Sequence, residues 1–159
     1  MLTFTEKGFL IPNKQIPSSI NELEAEFVTA INSNTRKELF DLYLKYSSDL
    51  KTVCNGAEIR QWVNGSFATK KANPRDIDFV SFIDYKLIGD NEDIFGRFRN
   101  PDSVKQYSVD AYVVIEYPED HKNHNRFLGD KLYWRDHFDK TEPNIRGVKW
   151  PKGFLEILY

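Results

Sequence analysis

Trp62-Val63-Asn64-Gly65-Ser66, nine further residues, then Asp76-Ile77-Asp78-Phe79-Val80 is the stretch on which the reading of the fold turns. Two apolar runs bracket a Gly-Ser bend and a pair of aspartates. The first reads as a strand from about Glu58 to Val63. The second reads as a strand from Asp76 to Ile83, dense in Ile, Phe and Val. Side chains alternate across a strand, so Asp76 and Asp78 are expected on one face, with Ile77 and Phe79 on the other. The two carboxylates then stand about 7 Å apart, twice the residue rise, and can converge on one divalent ion or a closely spaced pair. With 13 aspartates in 159 residues, about one Asp-x-Asp is expected by chance. The pair gains meaning only from heading an apolar run downstream of the bend.

Gly65-Ser66 has a chemistry of its own. Glycine at a strand-to-helix turn lets backbone N–H groups approach a phosphate, and the start of a following helix favours negative charge. The Ser66 hydroxyl can donate to a phosphate oxygen. Lys70, Lys71 and Arg75 lie between the bend and the aspartates, where they could neutralise a polyphosphate. An ordinary Gly-Ser turn with solvated lysines is the plainer reading of those residues alone. Asp110, in Tyr107-Ser108-Val109-Asp110-Ala111-Tyr112-Val113, is the one charge within an apolar strand. Aspartate is disfavoured in strands and is rarely buried unpaired. It either joins Asp76 and Asp78 around a metal or pairs with an arginine.

Working outward, Gly8 to Pro17 carries two prolines and reads as an extended or irregular arm, taken as residues 1–17. Ser19 with Glu22 has capping-box spacing, and Ile20, Leu23, Phe27 and Ile31 recur at helical intervals, giving a helix over about 19–31. Thr35 with Glu38 opens a second helix, whose stripe runs through Leu39, Leu42, Tyr43, Tyr46, Leu50 and Val53 to a stop near Asn55-Gly56. Asp90 to Phe98 reads as a short helix, Tyr107 to Tyr117 as the clearest strand, the region of Phe127 to Trp134 as helical, and Phe154 to Tyr159 as a last strand. The expectation is one α/β (α+β) domain over 1–159, with three or four strands in a small mixed sheet flanked by helices.

Composition narrows the classes. Charged residues make up 29% and the net charge is −2. No apolar run of spanning length occurs, so no membrane helix is expected. The N-terminus lacks the pattern of a secretory signal. The slightly acidic balance disfavours a broad nucleic-acid surface, and the lone Cys54 fits a reducing, cytoplasmic setting. Cys54 itself reads as a buried thiol. His121 and His124 sit in a polar stretch without a cysteine, His137 lacks a nucleophile to serve, and the aromatics fall mostly at core positions. Trp150-Pro151-Lys152-Gly153 reads equally as a tail that touches a ligand or as a tight turn into the last strand.

The Gly65-Ser66 bend, the nine-residue gap, Asp76-Ile77-Asp78 and the later strand aspartate at 110 resemble the signature of the DNA polymerase beta-type nucleotidyltransferase superfamily. More narrowly, the chain is similar to its small bacterial minimal nucleotidyltransferase-like members. The match covers about residues 57–115. The Gly8-Phe9-Leu10-Ile11-Pro12 arm and the ending with Trp134, Arg135, Phe138 and Pro151-Lys152-Gly153-Phe154 look similar to one group of them.

The resemblance implies the nucleotidyltransferase fold, with Gly65 and Ser66 holding the triphosphate and Asp76 and Asp78 binding Mg²⁺ or Mn²⁺. Asp110 would complete the metal site and deprotonate the attacking hydroxyl. It departs at Phe67, where many members carry arginine. The resemblance further implies transfer of a nucleoside monophosphate from ATP or another nucleoside triphosphate to a protein, RNA or small-molecule acceptor; the net charge of −2 makes RNA the less favoured of these. The setting it suggests is a toxin–antitoxin or phage-defence pair, with a cognate toxin or antitoxin as protein partner. The alternative is a binding protein of the same fold that masks a partner with little turnover.

Overall fold

The computed structural model describes residues 2–89 and 92–159. The chain opens with a hairpin of β1 (Thr3–Phe4) and β2 (Leu10–Ile11), paired antiparallel, then β3 (Gln15–Ser18). Helix α1 (Ile20–Glu24) begins where the Ser19 hydroxyl accepts from Glu22 N at 3.2 Å, and it continues into a π-helical turn, Ala25–Thr29. The long helix α2 (Asn34–Val53) is capped by Ser33, whose hydroxyl accepts from Arg36 N at 3.3 Å, rather than by the expected Thr35. Its buried stripe, Arg36, Leu39, Phe40, Tyr43, Tyr46, Ser47 and Leu50, recurs every three or four residues. Asn55 and Gly56, at φ 56° and 78°, stop it.

Strands β4 (Arg60–Asn64) and β5 (Asp78–Asp84) follow, then the short helices α3 (Tyr85–Ile88), α4 (Glu92–Gly96) and α5 (Asp102–Tyr107). Strand β6 (Asp110–Glu116), helix α6 (His124–Phe138) and β7 (Phe154–Leu158) complete the chain. Five strands form one mixed sheet in the order β3-β7-β4-β5-β6. The β3–β7 and β5–β6 pairs are parallel; β7–β4 and β4–β5 are antiparallel. The protein is therefore a mixed α/β structure with helices on both sheet faces.

Alternation divides the sheet. Val63, Phe79, Ile83, Ala111, Leu155 and Ile157 face α1 and α2 in the larger core. Within it a polar network is fully connected: Tyr43 Oη donates to Gln61 Oε1 at 2.7 Å, and Gln61 Nε2 donates to Ser81 Oγ at 3.0 Å. The opposite face carries Trp62, Val80, Phe82, Val114 and Phe154, covered by Phe127, Trp134 and Phe138 of α6. Asn64, Asp78 and Asp110 belong to this second face, one residue pair beyond the apolar cover.

Several boundaries differ from the sequence reading, each for a physical reason. The expected strand at Asp76 starts at Asp78, because only from there does β4 supply ladder partners. The strand placed at Glu58–Val63 is shifted to Arg60–Asn64. Tyr107 ends a helix instead of opening a strand. Ser108, at φ 56°, breaks that helix, and Tyr107 packs into the Tyr46–Phe98 cluster with its hydroxyl 3.0 Å from Asp49 Oδ2. Of the two readings of the arm the extended one holds, and β3 is more than a lead-in: it is an edge strand of the main sheet, paired with β7 from the other end of the chain. The helix expected over Asp90–Phe98 is present over Glu92–Gly96, and its first two residues lie outside the described set.

Candidate functional site

The sheet register decides the site. Asp78 is the Cα partner of Asp110 across the parallel β5–β6 pair, and of Asn64 across the antiparallel β4–β5 pair. The three form a row on one sheet face, at the shared end of β4, β5 and β6. Asp76 lies two residues ahead of Asp78 on the approach to β5 and is partly buried. A cleft of about 1000 Å³ opens here, at the upper end of small-molecule pocket sizes. Gly65, Ser66, Lys70, Lys71, Arg75, Asp76 and Asp78 all line it; Asp110 does not. Asp110 instead accepts from Asn100 Nδ2 at 2.7 Å with Oδ1, and no arginine pairs with it among the described residues.

The Gly-Ser bend is built differently from the expectation. Residues 65–68 form a turn with no helix after it, so the helix-start contribution to phosphate binding falls away. Glycine is required nonetheless. Gly65 has φ 69°, and a Cβ added there would stand 1.6 Å from Asp78 Oδ2. The Ser66 hydroxyl has no hydrogen-bond partner among the described residues, whereas its carbonyl accepts from Thr69 Oγ1 at 2.7 Å. Phe67 points into the core and is fully buried.

What fixes this loop is Arg36, fully buried on α2. Its guanidinium donates to the carbonyls of Phe27 at 3.0 Å, Phe67 at 2.9 Å and Thr69 at 2.7 Å, and to Lys71 O from Nε at 3.0 Å. It has no carboxylate partner among the described residues; burial lowers its pKa to about 10, so it remains charged at neutral pH. A planar fork of donors suits a curved run of carbonyls better than a lysine would. Sequence reading missed it because a lone arginine in a helical stripe looks like a surface residue.

Lys152 was also missed as a site residue. It is buried, and Nζ donates to Gly65 O at 2.9 Å. Burial lowers its pKa to about 8, opposed by attraction to Asp78 and Glu142. Asp78 moves the other way: burial, reinforced by Asp76 and Asp110, pushes its carboxyl up to about 7, with Lys152 opposing. Among the expected cations Lys70 is partly diverted, since Nζ contacts Glu26 Oε2 at 3.1 Å and sits over the Phe4 ring. Lys71 and Arg75 are exposed and make no ion pair among the described residues.

The side chains of Asn64, Asp76 and Asp78 in the lining offer oxygen donors, which suit hard divalent ions. Asn64 Oδ1 is buried beside Asp78 with no hydrogen-bond donor. The Asp78 pKa is held up first by burial and only then by Asp76 and Asp110, and a cation beside it would favour its charged form. As they stand, no three His, Cys, Asp or Glu side chains among the described residues are gathered into a metal cage. An ion here would take part of its shell from phosphate oxygens and water, as Mg²⁺ commonly does.

The residues set aside keep ordinary surroundings. Cys54 is buried with its thiol pushed up to about 11 by burial, which suppresses nucleophilicity. His121 stacks on Tyr117, while His124 Nδ1 lies 2.9 Å from Tyr117 O. His137 lines the cleft and stacks on Tyr133. No described helix is long and apolar enough to cross a membrane.

The chain belongs to a family of unknown function, DUF6932, whose model matches residues 2–158. No curated protein and no solved structure matches it.

Proposed function

We propose that this DUF6932 member has a nucleotidyltransferase fold and is a metal-dependent nucleotidyltransferase, moving a nucleoside monophosphate from a nucleoside triphosphate to an acceptor hydroxyl. The observation that supports this most is the in-register Asp78–Asp110 pair against the Gly65 bend, at a cleft that also carries Lys71, Arg75 and Lys152. A structural role rarely places two carboxylates side by side without an arginine between them.

On this reading the turn at Gly65-Ser66 and the ammonium and guanidinium groups of Lys71 and Arg75 hold the phosphates. Lys152 braces the bend from below through Gly65 O. Asp76 and Asp78 would hold Mg²⁺ or Mn²⁺, which would supply positive charge to offset that of the phosphates. Asp110 accepts the proton of the acceptor hydroxyl on the oxygen that Asn100 does not hold. The acceptor oxygen forms a bond to the α-phosphorus as the bond to the bridging oxygen breaks, and pyrophosphate leaves with that electron pair. The acceptor is a protein, an RNA or a small molecule, and a toxin–antitoxin or defence pair remains the proposed setting.

The test is incubation with each labelled nucleoside triphosphate and Mg²⁺, with and without the product of the adjacent gene as acceptor. Pyrophosphate release by the parent and not by Asp78→Asn is the expected result. A second reading, a partner-masking protein of the same fold with little turnover, is favoured by the turn that lacks a following helix and by the carboxylates' failure to gather into a cage. Under it the partner binds equally well to parent and Asp78→Asn, and no pyrophosphate appears.

A further inference from the structure

The cleft has a feature that phosphate binding leaves unused. Trp150 lines its rim with 39% of its surface exposed, while Phe138, also in the lining, is buried. The indole is held on a fixed backbone: Thr141 N donates to Trp150 O at 2.8 Å and Trp150 N donates to Thr141 Oγ1 at 3.0 Å. Two residues on, Lys152 is tied to Gly65 O, so the Trp150 backbone lies within about 7 Å of the backbone of the residue that braces the bend. Lys7 Nζ sits over the ring, 3.2 Å from its centroid. Lys7 is exposed at the tip of the β1–β2 hairpin and makes no ion pair among the described residues.

We infer that the indole face of Trp150 seats the nucleobase of a nucleoside triphosphate, which displaces the Lys7 ammonium from the ring. This rests on the triphosphate reading of the cleft and adds to it a base-binding element. An exposed cation over an aromatic ring is a weak, readily broken contact. A stacked base buries more area and is the stronger partner. The displaced ammonium stays in the same cleft, where a polyphosphate would attract it. Every base has a π-face, so this platform accepts all four bases, with purines favoured by their larger area.

The test compares Mg²⁺-ATP with Mg²⁺-tripolyphosphate, which lacks base and sugar, on the full chain and on Trp150→Leu and Trp150→Phe. ATP is expected to quench parent fluorescence and to bind about tenfold more tightly than tripolyphosphate. Of the other two tryptophans, Trp62 is buried against Phe82 and Phe154 and Trp134 packs on Tyr112 and Phe138, and neither lines the cleft. Trp150→Leu is expected to lose that tenfold advantage without altering tripolyphosphate binding, which also shows that the cleft is still folded. Trp150→Phe should retain most of it. If Trp150→Leu binds ATP as tightly as the parent, the stacking role is overturned while the triphosphate reading stands. If neither ligand binds the parent, both are overturned.

Discussion

The carboxylate of Asp78 fills the space in which any side chain on Gly65 would have to stand, 1.6 Å from an added Cβ to Oδ2. The bend and the acid thus occupy one joint volume, and neither can change without moving the other. Gly65→Ala should therefore act twice. Its φ of 69° strains an alanine, and the methyl drives the carboxylate out of register with Asp110. We expect a stability loss of about 2 kcal/mol or more, measured by denaturant unfolding, together with loss of nucleotide binding. Wild-type affinity in Gly65→Ala would refute the shared volume.

Arg36 tests whether the loop over residues 67–71 is held from beneath. Arg36→Met leaves the carbonyls of Phe27, Phe67, Thr69 and Lys71 without their donor. A cost of about 3 kcal/mol is expected, since unsatisfied buried acceptors cost roughly 1–3 kcal/mol each with partial relief by water. Arg36→Lys should recover little, because one ammonium cannot span the set. Thermal unfolding of the two variants reads this out.

Asp78 predicts an unusual stability profile for the metal-free protein. Its folded pKa, about 7, lies above the ordinary carboxylate value of 3.8. The native state therefore binds more protons than the unfolded one between these values, and stability falls as pH rises from 3.8 to about 7. Above that range the full penalty is present, on the order of 2–4 kcal/mol. Asp78→Asn should remove this slope and be the more stable protein at neutral pH. Unfolding curves across the interval decide it. By the same proton balance, divalent-ion affinity should climb about tenfold per pH unit below the folded value.

For Lys152 the sign reverses. A lysine lowered from 10.5 to about 8 costs stability below the folded value, and that cost disappears as pH rises toward 10.5. Replacement by methionine removes the cost but also the hydrogen bond to Gly65 O. The two roughly cancel, so Lys152→Met should shift stability by no more than about 1 kcal/mol at neutral pH. Triphosphate affinity should still fall about tenfold. Calorimetry and binding measured on the same sample separate the two effects.

Local chemistry made part of this architecture readable. Ser19 and the stripe from Leu39 to Leu50 announce helices by cap and period, and the apolar runs in β5 and β6 announce strands. The alternation rule put Asp78 opposite Phe79, and the sheet places them on opposite faces. What stayed hidden depends on partners far along the chain. Strand β3 exists because β7 pairs with it, not because Gln15–Ser18 favours a strand. Tyr107 has a strand former's composition but is claimed by the aromatic cluster under α5. Arg36 reaches the bend from α2 and Lys152 from the segment just before β7; nothing local marks the first, and only the ligand-touching reading of Trp150-Pro151-Lys152-Gly153 hinted at the second. Gly-Ser and Asp-x-Asp were visible because their residue types are constrained at short range.

In the proposed function Asp76 and Asp78 bind a divalent ion together with a triphosphate in this cleft. Isothermal titration of the full chain with ATP, with and without Mg²⁺, tests it most directly when repeated on the Asp76→Ala, Asp78→Ala double variant. Mg²⁺-dependent binding by the parent is expected, with a loss of roughly a hundredfold or more in a variant that still unfolds cooperatively. Equal binding by parent and variant, or binding indifferent to Mg²⁺, would contradict it.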